Sequence, residues 1–261
     1  MIRKGGQSPL RKPLLMLTVL VLIGTLAGCA KTGPVRPKLT SLPASPQEAR
    51  LVQRGDHLLL SWEAPARNQD GSAAEDLAGF RILRSDFAAA DGCPECREPD
   101  DLRARIRRAS PAPARRIGDR FYWLDEQVEI GRGYRYVIVP VTVGGQRGTP
   151  ADLRALLTPP LAAPTGLSIR REPGRLHLSW QAPDLAPEME QLGYNLYRRR
   201  IGQTWSPAPL NPQPLSATTL VDIVAADSRD YEYRVSILVN MAGIVRESRL
   251  SDSLSSAVSR P

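Results

Sequence analysis

Leu58-Leu-Leu-Ser-Trp62-Glu-Ala-Pro65 recurs as Leu176-His-Leu-Ser-Trp180-Gln-Ala-Pro183, and this pair of stretches decides the fold. In the later stretch Leu176, Leu178 and Trp180 alternate with His177 and Ser179; in the earlier one Leu58, Leu60 and Trp62 keep the same phase, with His57 and Ser61 on the opposite face. Alternation at a period of two puts one face of a strand in a core and the other in water. Trp62 and Trp180 are therefore expected as central buried plates, each removing about 150–250 Å² from solvent.

Working outward, the repeat continues. Gly79-Phe-Arg-Ile-Leu-Arg84 recurs as Gly193-Tyr-Asn-Leu-Tyr-Arg198, and Leu124-Asp125 followed by Tyr134-Arg-Tyr136 recurs as Val221-Asp222 followed by Tyr231-Glu-Tyr233. The distance from the Asp to the second Tyr is 11 in both copies. Four landmarks in one order define a repeated unit of about 100 residues. With 24 Pro, 20 Gly and only 3 Phe, the chain is punctuated by turns, which favours short strands and an all-β fold.

The unit resembles the fibronectin type III domain, an immunoglobulin-like β-sandwich, through Ser-Trp-x-x-Pro, the Gly-aromatic strand start and Tyr-x-Tyr. The resemblance implies two tandem sandwiches over 38–158 and 160–259, with Tyr136 and Tyr233 forming tyrosine corners. Such motifs specify a fold and are almost silent about function. The join, Thr158-Pro-Pro-Leu-Ala-Ala-Pro164, holds three prolines and predicts a stiff connection.

At the front, Arg3, Lys4, Arg11 and Lys12 are followed by the apolar run Leu14 to Leu26, the pattern of a secretory signal. A spanning helix needs about 20 apolar residues, and this run is shorter. It closes on Leu26-Ala27-Gly28-Cys29, which resembles the lipobox of bacterial lipoprotein precursors. That resemblance implies a signal peptide over 1–28, cleavage after Gly28 and lipidation of Cys29, so that the lipid bilayer is a partner through the acylated cysteine. Ala30, in place of Asp, implies the outer membrane, with a periplasm-facing orientation favoured. Residues 29–37, with Pro34 and Pro37, read as an extended tether. Cys29-Ala-Lys-Thr-Gly-Pro34 is also similar to the start of small lipoproteins associated with lipopolysaccharide-export assembly, although Ala30, Lys31 and Thr32 depart from that pattern.

Loss of residues 1–28 removes four positive charges and no negative ones, so the formal charge falls from +8 to +4. A balance of +4 is weak evidence for nucleic acid, which calls for a clustered basic footprint on a recognisable fold, and the envelope address argues against it too, so no nucleic-acid partner is expected.

From the strand glycine to the second Tyr the first copy takes 57 residues and the second 40. The 17 extra residues fall within a charged insertion, 86–120, acidic from Asp86 to Asp101 and basic from Arg103 to Arg120. Its acidic start and basic end suit a short helix around 101–109. The segment reads either as a solvated, self-neutralising excursion or as a docking patch for an acidic partner or lipid phosphates. Within it sits Cys93-Pro-Glu-Cys96. With Cys29 assigned to lipid, Cys93 and Cys96 are each other's remaining partners, and an oxidising compartment favours a local disulfide. A structural zinc site would need four ligands, and covalent haem would need His where Arg97 stands, so no metal or cofactor is expected.

No nucleophile, base and orienting group can be assembled, so a non-enzyme is expected. Arg54-Gly55-Asp56 spells an adhesion tripeptide but reads as a turn between the first two strands. Gly144-Gly145-Gln146-Arg147-Gly148 reads as a hairpin turn. Arg198-Arg199-Arg200 reads as a charged strand end. The leading functional expectation is an envelope lipoprotein acting as a non-catalytic protein-binding or scaffolding module, its envelope protein partner unidentified. The alternatives are an assembly factor for an outer-membrane machine and a polysaccharide-binding accessory protein, for which Trp123 and Trp205 are the tryptophans outside the two core plates.

Overall fold

The computed structural model describes residues 41–88, 98–224 and 231–257. Every regular element among them is a strand. In chain order these are β1 (Gln47–Arg54), β2 (His57–Glu63), β3 (Leu77–Ala88), β4 (Asp101–Arg107), β5 (Arg115–Ile117), β6 (Arg120–Asp125), β7 (Arg132–Thr142) and β8 (Ala151–Leu156). There follow β9 (Thr165–Glu172), β10 (Arg175–Gln181), β11 (Glu190–Arg200), β12 (Thr219–Ile223), β13 (Tyr231–Met241), β14 (Ile244–Glu247) and β15 (Leu254–Ser255). The chain is all-β, as its alternating patterns predict.

Two hydrophobic cores form. The first gathers Leu58, Leu60 and Trp62 from β2, Phe80 and Ile82 from β3, and aromatic residues of β6 and β7. The second gathers Leu176, Leu178 and Trp180 from β10 with Tyr194, Leu196, Val235 and Ile237 from β11 and β13. Trp62 is 0% and Trp180 5% exposed. The aromatic that follows each landmark glycine meets the tryptophan edge-on: Trp62 and Phe80 lie 5.5 Å apart at 76°, Trp180 and Tyr194 5.5 Å apart at 66°.

The sheets repeat as well. β2 lies between β1 and β6, and β10 between β9 and β12, all antiparallel. Across the first core stands a four-stranded sheet in the order β4-β3-β7-β8. Across the second stand β11, β13, β14 and β15.

Both landmark glycines follow a register shift, at Leu77/Gly79 and at Gln191/Gly193. A Cβ at Gly79 would lie 1.9 Å from the Ile106 carbonyl oxygen; one at Gly193, where φ is +135°, would lie 2.7 Å from that of Leu215. Only glycine admits another backbone this closely.

The two cores are joined by a strand pairing. β1 of the first pairs in parallel with β14 of the second at Gln53↔Arg246 and Arg54↔Glu247. One sheet therefore runs β11-β13-β14-β1-β2-β6-β5 through both halves. The two halves are thus linked by backbone hydrogen bonds as well as by the 158–164 join.

One expectation fails. Residues 101–107 are strand β4, not the start of a helix: Leu102, Ala104 and Ile106 alternate with Arg103, Arg105 and Arg107, and Ala104 and Ile106 are buried. Period-two alternation beside a partner strand outweighs the modest favourable placement of charge along a helix dipole.

Candidate functional site

Three polar arrangements are built on this frame. The first is repeated. Tyr136 donates from Oη to Asp125 Oδ2 at 2.8 Å, and Arg84 Nη1 donates to the same oxygen at 2.9 Å. In the second copy Tyr233 donates to Asp222 Oδ2 at 2.6 Å and Arg198 Nη1 at 2.7 Å. Each guanidinium also lies over the first Tyr of its Tyr-x-Tyr, Arg84 over Tyr134 at 5.0 Å and Arg198 over Tyr231 at 4.7 Å. Burial, reinforced by the adjacent carboxylate, raises the Tyr136 and Tyr233 hydroxyls well above the ordinary phenol range. The conserved order of the two copies is thus a buried Arg–Asp–Tyr triad, satisfied internally and serving the fold.

The second arrangement lies at the join. Arg54 donates from Nε to Glu247 Oε2 at 2.8 Å and from Nη2 to Tyr197 Oη and to the Pro207 carbonyl, each at 2.9 Å. Tyr197 and Ser236 donate to Glu247 Oε1 at 2.5 and 2.6 Å. The Arg54 and Glu247 side chains are 12% and 3% exposed. Asp56 accepts a two-pronged pair from Arg249 at 2.8 Å on each arm. Gln53 donates from Nε2 to the Thr158 carbonyl at 2.7 Å. The Arg54-Gly55-Asp56 tripeptide is therefore consumed: both its charged side chains face the second half of the same chain.

The third arrangement is a surface. On the outward face of the sheet β4-β3-β7-β8, pairing registers set Arg105 opposite Arg81 and Arg107 opposite Gly79. On the next strand Arg81 opposes Val139, and Gly79 opposes Val141. After a bulge at Ile82/Leu83, Leu102 opposes Leu83, which opposes Val137. The face thus combines three arginines with a strip of Leu and Val. A shallow cleft of about 230 Å³ beside Gly79 is lined by Arg81, Arg105, Arg107 and Val141. None of these three guanidinium groups has a hydrogen-bond or ion-pair partner among the described residues. Like charges directly opposite one another in a sheet are destabilising.

β4 is also an end strand: among the described elements it pairs only with β3. In the second half the counterpart of β3 is β11, and the position that β4 takes beside β3 is taken there by the segment around Leu215. There Tyr194 and Leu215 exchange backbone hydrogen bonds at 2.8 and 2.9 Å, and Asn211 Oδ1 accepts from Leu196 N at 2.8 Å.

The remaining expected residues are placed as follows. Trp123 is buried at 8% exposure, and Trp205 has the guanidinium groups of Arg199 and Arg234 over its ring at 4.5 and 4.7 Å. Neither offers a bare aromatic platform. His177 shares a hydrogen bond of 2.9 Å with Glu172. The Gly144–Gly145 stretch turns as expected, with Gly145 N donating to the Thr142 carbonyl at 2.9 Å. In the charged strand end, Arg198 and Arg199 pair with Asp222 and Glu232. Among the described residues no group of three or more His, Cys, Asp and Glu could hold a metal ion. Cys29, Cys93, Cys96, the 1–28 segment and the tether lie outside the described residues. Comparison with protein-family models and with curated proteins gave no match to this chain.

Proposed function

We propose that the protein is a lipid-anchored envelope lipoprotein, periplasm-facing at the outer membrane, that acts as a non-catalytic binding or scaffolding module through two fibronectin type III-like sandwiches. The strand arrangement around each core supports the sandwich reading: three antiparallel strands face a second sheet, with the repeated tryptophan between them. The observation that carries the binding reading is the β4 edge, which pairs with no described element beyond β3, with its uncompensated arginines, set on a frame whose polar triads and Arg54–Glu247 pair are hydrogen-bonded within the chain. Arginines set opposite one another on an exposed strand without a counter-charge are suited to meeting opposite charge there.

The polysaccharide reading loses support from the burial of Trp123 and the arginine-covered ring of Trp205. The assembly-factor reading remains a special case of binding, in which the partner belongs to an outer-membrane machine.

Two measurements test the proposal. Radiolabelled palmitate should attach to the full chain and not to Cys29→Ser, and that variant should leave the membrane fraction. Photo-crosslinking residues placed in cells along 98–120 should give adducts with one dominant envelope protein. Failure of the label together with membrane retention of Cys29→Ser would overturn the anchor, and adduct-free positions on every exposed strand would overturn the module.

A further inference from the structure

We propose that the free edge of β4 takes an extended, acidic segment of a partner protein as an added antiparallel or parallel strand, with carboxylates at alternate positions of that segment meeting Arg105 and Arg107. This rests on the reading of the chain as a binding module and names the site and the chemistry of its partner.

The argument starts from the backbone. An end strand carries a row of unpaired N–H and C=O groups that any extended chain can satisfy. Edges are ordinarily shielded by charge, by a bulge or by covering segments. β4 has the charges and a bulge at its Ile82/Leu83 register, yet no other described element covers its outer side.

Charge then selects the occupant. Arg105 and Arg107 are exposed and share the outward face two residues apart, so they stand about 7 Å from each other along the strand. A second copy pairing edge to edge would set arginine against arginine, which is unfavourable. An added strand with Glu or Asp at positions i and i+2 places each carboxylate beside one guanidinium, within reach of charge-assisted hydrogen bonds. Arg81, one strand further in, extends the positive row behind them, while Leu102 and Leu83 offer an apolar contact for the next outward residue. An anionic membrane surface would meet the same arginines but could not use the open backbone edge, so the strand is favoured.

The test uses the detergent-solubilised full chain and a fluorescein-labelled decapeptide of alternating Glu and Val, followed by fluorescence anisotropy. The acidic peptide should bind at least tenfold more tightly than its Lys/Val counterpart. Affinity should fall at least tenfold in R105E/R107E, whose substituted side chains are exposed. On the unaltered protein, N-methylation of every second peptide residue should cost a similar factor when it falls on the pairing edge and little on the other. No binding of the acidic peptide, equal binding to R105E/R107E, or indifference to N-methylation on both edges would each overturn the proposal. So would adhesion to phosphatidylglycerol vesicles that R105E/R107E abolishes in the absence of peptide binding, which assigns the arginines to a membrane. A photo-crosslinker at position 105 separates this inference from the broader one: adducts from exposed Val221 on β12 with none from 105 would remove the β4 site and leave the module, whereas none from 105 or from any other exposed strand would remove both.

Discussion

Arg54 Nε lies 2.8 Å from Glu247 Oε2, joining residues 193 positions apart at the place where β1 meets β14. Both side chains are nearly excluded from solvent, and Tyr197, Ser236 and the Pro207 carbonyl complete their hydrogen bonding. A buried pair of this kind adds little over a hydrophobic replacement, but loss of one member leaves a charge without compensation.

Arg54→Met should therefore destabilise the chain by about 3–5 kcal/mol, whereas Arg54→Met combined with Glu247→Leu should recover most of that loss. Urea unfolding followed by tryptophan fluorescence reads the difference. A single variant as stable as the parent would show that Glu247 finds another partner or reaches water.

Removal of one hydroxyl from each triad should produce parallel effects. Tyr136→Phe and Tyr233→Phe each delete a hydrogen bond to a buried carboxylate and should cost about 1.5–3 kcal/mol. The two values should agree closely, because Arg84 and Arg198 hold equivalent oxygens. A large cost in one half and none in the other would contradict the equivalence of the triads.

Alkaline solution should weaken the fold through the same hydroxyls. Burial first, and then the neighbouring Asp125, Asp222 and Glu247, raise Tyr136, Tyr233 and Tyr197 above their unfolded values. A folded-state pKa above the unfolded one means that the unfolded chain releases its protons first, near pH 10. The associated stability is complete below about pH 10 and declines as pH rises beyond it. Absorbance at 295 nm should show that at least these three of the seven tyrosines stay un-ionised until cooperative unfolding; seven groups titrating near pH 10 in a chain with native circular dichroism would contradict this.

Trp180→Ala should cost about 3–5 kcal/mol by leaving a cavity against Tyr194. Trp180→Phe should cost less, since the indole Nε1 has no hydrogen-bond partner to lose. Thermal melts of both variants check the order, and a near-native melt for Trp180→Ala would mean that the plate is not part of the core.

Much of the fold was legible because its determinants are local. Leu176, Leu178 and Trp180 declare a half-buried strand by parity alone, and the Asp-to-Tyr spacing of 11 marks the repeat, although not the hydrogen bonds that join those residues. Arg84 and Arg198 stood in plain view at the ends of their motifs, but an ion pair across strands leaves no periodic trace. The pairing of β1 with β14 was invisible for the same reason: it joins Arg54 to Glu247 across most of the chain. β4 was misread as helical because its charge gradient drew attention from the alternation of Leu102, Ala104 and Ile106 with arginines. That β4 ends its sheet among the described elements is a matter of topology, which no stretch of sequence specifies by itself.

The account depends above all on the two cores forming one body, since only then is the β4 edge presented in a fixed direction. Scanning calorimetry of the full chain tests this most directly. One cooperative transition is predicted for the parent, separating into two when Arg54→Met breaks the join; two well-resolved transitions in the parent would contradict it.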